Sequence, residues 1–330
     1  MKNAHRTPSD TDGGTSHAAF DGPTLTTSPV DLEPGGERPF VCQSFLLGNE
    51  HPLFVNGVVF QGNGVHHSTW SVIAEDEYDG PAGSANCEAF GFDIFAPKGP
   101  NTDEVLFGES PEASKESEIF PDGAAFVLPP RSKLFVSYHV LNTGSIPLQA
   151  GMSATLRLLY EQDVKTRLTS GGGMTEMLAL PPNSRSRFTT ECTFATPPTF
   201  KAYYVVPHYH RYGTGMRLEL AGGMQDGKVV WQNEGAIGEP LGAQVEPPVD
   251  FTGATGFRFT CTYENTTSAT ITGGASAEQE MCGFGVSMDG TSQFDGIATP
   301  GFASPTLLDD GIDGDGVHAF TVGGCTVLSP

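Results

Sequence analysis

FKAYYVVPHYHRYG (200–213) is the stretch on which the fold turns. Its opening run is aromatic and β-branched, the composition of a strand. Side chains at i and i+2 of a strand share a face, so His208 and His210 stand side by side. Such a pair is either ordinary surface or core histidine, or a two-nitrogen chelate for a metal. The same strand-like character repeats on both sides of it. Upstream lie FVCQSFLL (40–47), LFVNGVVFQ (53–61), VHHSTWSVIA (65–74), AFGFDIFA (89–96), AAFVL (124–128), KLFVSYHVL (133–141) and ATLRLLY (154–160). Around and after it come RFTTECTF (187–194), MRLELAG (216–222), KVVWQ (228–232), FRFTCTY (257–263), SATITGG (268–274), EMCGFGVSM (280–288) and HAFTVGGC (318–325). Gly, Pro, Asn and Ser clusters separate these runs, and long amphipathic helical patterns are absent. The pattern predicts an all-β protein, sandwich or barrel, and seven to nine strands per half suit two antiparallel β-sandwiches.

At 330 residues the chain exceeds what one core usually serves, which predicts two domains. Residues 1–38, rich in Pro, Ser, Thr, Asp and Gly, read as a disordered tail or tether. GGG (171–173) reads as a hinge, placing one domain at 39–168 and the other at 169–330. LPPRSKLF (128–135) is echoed by LPPNSRSRF (180–188), each reading as a turn that feeds a strand. DDGIDGDG (309–316) resembles part of a calcium loop. It lacks the glutamate and flanking helices of an EF-hand, and reads as an acidic turn.

Charge narrows the function classes. Seventeen basic residues face 39 acidic ones, a net charge of −22, with no basic patch to neutralise phosphates. That argues against nucleic acid as a partner. No apolar run reaches the ~20 residues a membrane-spanning helix needs. The six cysteines, Cys42, Cys87, Cys192, Cys261, Cys282 and Cys325, contain no C-x-x-C pair, which argues against a zinc ribbon. An even count in a loop-rich β protein points to disulfides and an oxidising compartment, against the alternative of intracellular free thiols. The cysteines alone do not choose a pairing. The expectation is an exported monomer, secreted, periplasmic or at the cell surface, its export signal removed.

Outside the tail, where His5 and His17 lie, seven histidines remain. His51 and His318 are isolated and read as ordinary surface residues. His66 and His67 are adjacent in GVHHSTW, so a regular strand would send them to opposite faces. To serve one metal they need a bulge, a strand end or strong twist, and the GNG before them allows it. His139 lies in LFVSYHVLNTG, a strand by composition. The first half thus offers three candidate nitrogens and the second offers two. Imidazole suits copper, zinc, iron and nickel, whereas an added methionine thioether would select reduced copper. Spacing alone singles out none of the eight methionines.

Taken in order, these elements resemble the copper type II, ascorbate-dependent monooxygenases, the family of the peptidylglycine α-hydroxylating and dopamine β-monooxygenases. The matching pieces are the pair His66-His67, then His139, then H-x-H-x-x-G as HYHRYG with Gly213. Last comes G-G-x-S ahead of E-M-C, here GGASAEQEMC, which singles out Met281. PPVDFTGATGFRFTCTY also resembles the family's lead-in to that motif. The resemblance covers about residues 40–330. It implies two tandem jelly-roll-like β-sandwich domains, each holding one copper. His66, His67 and His139 would hold an electron-storing ion. His208, His210 and Met281 would hold the ion at which dioxygen is activated, with ascorbate or another one-electron reductant as cosubstrate. It further implies Cys42–Cys87, Cys192–Cys325 and Cys261–Cys282 disulfides.

The chain departs from the family at the substrate. The peptide-amidating members hold a substrate carboxylate through an arginine two residues before H-x-H. They add an asparagine and a tyrosine two and four residues after the methionine ligand. Here those positions are Val206, Gly283 and Gly285. A carboxylate clamp needs charged or hydrogen-bonding donors, so peptidylglycine is not the expected substrate. HHSTW also replaces the family's HHM with a nearby cysteine. The two glycines either leave room for a bulky apolar substrate or mark a decayed site. The expectation is therefore a copper monooxygenase that hydroxylates an sp³ C–H of a small-molecule or apolar substrate with dioxygen. The alternatives are a copper carrier, store or electron-transfer protein, and an adhesion or structural β-sandwich with incidental histidines.

Overall fold

Alternation builds the sheets. In the strand Leu148–Leu159, Ala150, Met152, Ala154, Leu156 and Leu158 are buried while Gly151, Ser153, Thr155 and Arg157 between them are partly exposed, so one face meets a core. The computed structural model describes residues 19–77, 79–91, 104–109, 114–235, 241–290, 293–299 and 304–328. Among these residues the protein is all-β and jelly-roll-like, with three short 3₁₀ helices and no α-helix.

A 12-stranded sheet runs through both halves of the chain. The junction is the strand Thr166–Thr175, which pairs in parallel with Ala124–Leu128 of the first half and antiparallel with Cys282–Asp289 of the second. Lys201–His208 lies on the other side of Cys282–Asp289. A five-stranded sheet containing Glu37–Leu46, Ser132–Leu141, Val65–Ala74 and Glu104–Glu109 covers the first half. A six-stranded sheet containing Gly213–Ala221, Gly256–Asn265 and Ser184–Thr193 covers the second. Two apolar cores fill the space between. One is built on Phe60, Trp70, Phe107 and Phe126, the other on Phe188, Phe257, Phe259 and Phe284. Tyr204, from the second half, is buried in the first core and fixes one half against the other.

The two echoing turns are structurally alike. Arg131 and Asn183, the fourth residues of LPPR and LPPN, both take positive φ, 59° and 49°. The next residue, Ser132 or Ser184, donates its hydroxyl to the carbonyl of Pro129 or Pro181. Two asparagines at strand ends, Asn142 just after Ser132–Leu141 and Asn265 closing Gly256–Asn265, repeat a second device. Asn142 donates its amide to carbonyls of Leu32, Glu33 and Ile146, and Asn265 to carbonyls of Leu180, Pro181 and Ala269.

The three disulfides pair as the resemblance implied: Cys42–Cys87, Cys192–Cys325 and Cys261–Cys282. Cys261 belongs to the six-stranded sheet and Cys282 to the 12-stranded one, so that bond ties the two layers of the second half. No helix among the described residues is long and apolar enough to cross a membrane.

Three expectations need correction. The tail does not extend to residue 38: Phe20–Thr26 and Val30–Leu32 are strands pairing with Leu148–Leu159, and Glu37 opens the next strand. Its polar content hid alternating anchors, since Leu25 and Leu32 enter the first core and the Asp21 carboxylate pairs with Arg157. Residues 1–18 of the expected tail lie outside the described residues. The GGG triplet is no hinge but the middle of Thr166–Thr175. An added Cβ would come within 2.5 Å of the Phe294 ring at Gly171, 2.7 Å of the Phe284 carbonyl at Gly172 and 2.8 Å of the Phe284 ring at Gly173. The glycines admit close neighbours rather than freedom of motion. AFGFDIFA (89–96) is not a strand at its start, where Cys87–Phe90 form a 3₁₀ helix, and residues 92–96 lie outside the described residues. The DDGIDGDG stretch forms the tip of the hairpin between Thr306–Ile312 and Val317–Gly323, where Asp313 accepts backbone N–H bonds from Asp315 and Val317.

Candidate metal centre

The strand Val65–Ala74 solves the problem of consecutive histidines with a bulge. His67 pairs with His139 and Val65 with Val140, so His66 is an extra residue in the ladder. Gly64, at φ 66°, leads into it. Both imidazoles then face His139, with ring centroids 4.9 Å away for His66 and 5.2 Å for His67.

In the second half, His208 ends Lys201–His208 opposite Gly283, and His210 follows in the turn. Glu280 shapes that turn. Its buried carboxylate accepts the His210 N–H at 2.8 Å through Oε2 and the Tyr212 N–H at 2.7 Å through Oε1. Tyr209 is buried in the second core, its hydroxyl accepting from Asn233 at 3.0 Å. A Cβ on residue 213 would lie 1.9 Å from the Tyr209 ring, which accounts for the glycine that closes H-x-H-x-x-G.

The structure brings all five expected histidines into one cluster spanning both halves. Ring centroids are 5.2 Å apart for His67–His208, 5.8 Å for His66–His210 and 5.2 Å for His208–His210. Ligand atoms of His66, His67 and His210 all lie within 4.8 Å of one another. The two ligand sets that sequence assigns one to each half therefore meet in space. Met281 lines the adjoining cavity of about 330 Å³ together with His67 and His208. Its backbone is held on two sides: the Tyr263 hydroxyl donates to its carbonyl at 2.5 Å, and the next residue is the disulfide-bonded Cys282. His51, in an exposed turn, and His318, in the strand Val317–Gly323, form no part of the cluster.

The electrostatics favour metal ligation. Burial, with mutual repulsion from neighbouring imidazoles, pushes the pKa of His66 down to about 3 and that of His67 well below the usual value. Burial brings His208 down to about 4 and, with repulsion from His208, His210 to about 3. His139 is also lowered by burial, against the pull of Glu37, whose Oε1 lies 2.9 Å from its Nε2. The rings are thus neutral near pH 7, with lone pairs available. His210 Nδ1 lies 2.9 Å from the Gln279 carbonyl, which can only accept, so Nδ1 carries the proton and Nε2 the lone pair. His210 Nε2, both nitrogens of His66, and Nδ1 of His67 and His139 are buried without a hydrogen-bond partner. Each unmade buried bond costs ~1–3 kcal/mol. A cation among these nitrogens would offset that cost, so the residues fit a metal. Imidazole is a donor that suits copper, zinc, iron and nickel.

Sequence reasoning missed four contributors. Glu280 sits inside the E-M-C motif, yet nothing there announces which N–H groups it accepts. Gln279 acts through its carbonyl, which no side-chain pattern reports. Tyr263 reaches Met281 from a different sheet. Glu37 fell within the expected tail, yet its Oε1 also accepts the Ala277 N–H at 3.2 Å and so links the halves beside the cluster.

No protein-family model matches the chain, and neither does any curated protein. Among solved structures the chain is similar to the major capsid protein P2 from Bacteriophage PM2, at 9% identity and TM-score 0.35, covering 81% of this chain and 97% of that one. It is also similar to the Cowpea mosaic virus top component, at 10% identity and TM-score 0.39, covering 88% of this chain and 96% of that one. Likenesses this distant carry no argument about what the histidine cluster does.

Proposed function

We propose that the protein is a copper-dependent monooxygenase that hydroxylates an sp³ C–H of a small molecule, with two ligand sets side by side. The observation that carries this reading is the gathering of five imidazoles from both halves, three of them buried and several with unpartnered nitrogens, against a largely apolar cavity. A structural sandwich would gain nothing from burying those nitrogens together. His66, His67 and His139 would hold one ion, and His208, His210 and Met281 the other. Copper, when bound, supplies one-electron redox chemistry and activation of dioxygen, with ascorbate or another one-electron reductant as the electron source.

The chain's own residues supply position. The His66 bulge aims two consecutive imidazoles the same way. Glu280 fixes the turn that carries His210, and the Gln279 carbonyl fixes its tautomer, as a hydrogen bond to the non-ligating nitrogen does at metal sites. Tyr263 and the Cys261–Cys282 bond hold the Met281 backbone. Three disulfides fit a non-cytosolic setting, and we assign the protein to a secreted, periplasmic or cell-surface location as a monomer.

The test is copper loading of the purified chain, with metal per chain and electron paramagnetic resonance of the oxidised form, followed by oxygen uptake with ascorbate. Two nitrogen-ligated type II signals and uptake coupled to a hydroxylated product are expected. Copper bound and reversibly reduced with no product from a broad substrate library would instead make this an electron-transfer or storage protein. Failure to bind copper stoichiometrically would overturn the proposal altogether.

A further inference from the structure

We infer that the cavity beside the histidine cluster takes an uncharged, largely apolar small molecule, and that Gly285 is the residue that keeps it open for one. The inference rests on the reading of this cluster as an oxidising centre only in calling that molecule a substrate.

The cavity lies between the five-stranded sheet of the first half and the strands Thr166–Thr175, Lys201–His208 and Cys282–Asp289. Its volume of about 330 Å³ suits a molecule of two or three fused or linked rings, or a comparable chain. His67, His208 and Met281 mark one part of the wall, and Phe107, Val206 and Ile297 are among the apolar residues of the rest. Among the described lining residues there is no lysine or arginine, and Asp295 is the one ionisable acid. With no metal in place, an anionic ligand would meet no counter-charge there and would leave water for a site that offers it none.

Gly285 is unlike the other glycines of the wall. Its partners across the sheet are Gly172 on one side and Val206 on the other. A Cβ on Gly172 would lie 2.7 Å from the Phe284 carbonyl, on Gly173 2.8 Å from the Phe284 ring, and on Gly283 3.1 Å from the Gly173 carbonyl. Packing demands glycine at the first two and crowds a side chain at the third. A Cβ on Gly285 would meet only Val206, at 3.9 Å, an ordinary contact, and its φ is not left-handed. Neither space nor backbone conformation requires glycine here, and a glycine in mid-strand weakens the strand. What its missing side chain leaves behind is volume. Residues 283 and 285 share a face of the strand, and 206 and 208 share the facing one. A side chain at 285 would therefore grow beside Val206 into the space next to His208.

The experiment titrates full-length protein, both copper-free and copper-loaded, with N-phenyl-1-naphthylamine, and with 1-anilinonaphthalene-8-sulfonate, which adds a sulfonate to the same frame. Saturable binding of the neutral probe at one per chain is expected, with the sulfonate at least tenfold weaker on the copper-free protein. Gly285→Leu should weaken the neutral probe at least tenfold while copper per chain and melting temperature stay unchanged. Gly285→Ala, which adds one unhindered carbon, should fold as the parent does and weaken it less. Equal or tighter binding of the sulfonate to the copper-free protein, or unchanged neutral-probe affinity in both variants, would overturn the inference. Because the copper-free protein gives the readout, a chain that fails to bind copper can still pass, and one that binds copper can still fail.

Discussion

Glu280 shows how much of the centre depends on one side chain that ligates nothing. Its two oxygens are committed to the N–H groups of His210 and Tyr212, and it is fully buried. Glu280→Gln keeps the size but turns an NH₂ donor toward a backbone donor. One buried N–H is then unsatisfied, at a cost of ~1–3 kcal/mol. Urea unfolding should show that loss, and copper titration should show weaker binding, because His210 is no longer fixed. Protonation of the cluster gives a second prediction at this scale. Burial holds the folded-state pKa of His66 and His210 at about 3 and of His208 at about 4, below the unfolded value of 6.5. As pH falls below 6.5 the unfolded chain takes up protons that the folded one refuses. Stability contributed by the neutral rings is therefore complete above pH 6.5 and lost between there and pH 3–4. Each such histidine adds up to ~1.4 kcal/mol per pH unit to the slope. The urea midpoint of copper-free protein should fall steadily across that window, and a flat profile would mean that the rings are hydrated.

At the scale of elements, the turn after Lys201–His208 was only half legible. The i,i+2 histidines and the closing glycine stand in the sequence, but the reason for the glycine is the Tyr209 ring, whose destination depends on a second core the sequence does not draw. Gly213→Ala would drive a carbon to 1.9 Å from that ring. Overpacking of this kind typically costs ~1–3 kcal/mol. A lower melting temperature, and loss of the Tyr209–Asn233 hydrogen bond, are the expected results, the first read by calorimetry and the second by the Asn233 amide resonances. The bulge at His66 was legible because adjacency and strand periodicity conflict, and a conflict between local rules points to a local device. The edge strands Phe20–Thr26 and Val30–Leu32 were not, because only a few of their residues are buried and the rest read as polar linker. GGG misled for a related reason: periodicity sees missing side chains and cannot see the Phe284 and Phe294 rings that fill their places.

For the whole molecule, sequence could assign three histidines to one half and two to the other but not the distance between the sets, since no periodicity encodes how two sandwiches register. The continuous 12-stranded sheet supplies that register, running from the first half into the second through Thr166–Thr175. It brings His210 within reach of His66 and His67, so the two ligand sets abut across the boundary between the halves. Metal that binds only the folded state stabilises it by mass action, by ~4 kcal/mol when free metal exceeds its dissociation constant a thousandfold. Because one ligand set belongs to each half and the two sets abut, that gain should reach both cores. Copper should raise hydrogen-exchange protection of the core strands Leu148–Leu159 and Gly256–Asn265 together, and chelation should lower both together. His66→Ala, in the first half, should reduce the copper-induced gain in the second, and His210→Ala the reverse. If each variant instead lost protection only in its own half, the two ligand sets would be acting as separate sites, and the shared cluster would be a matter of proximity without coupling.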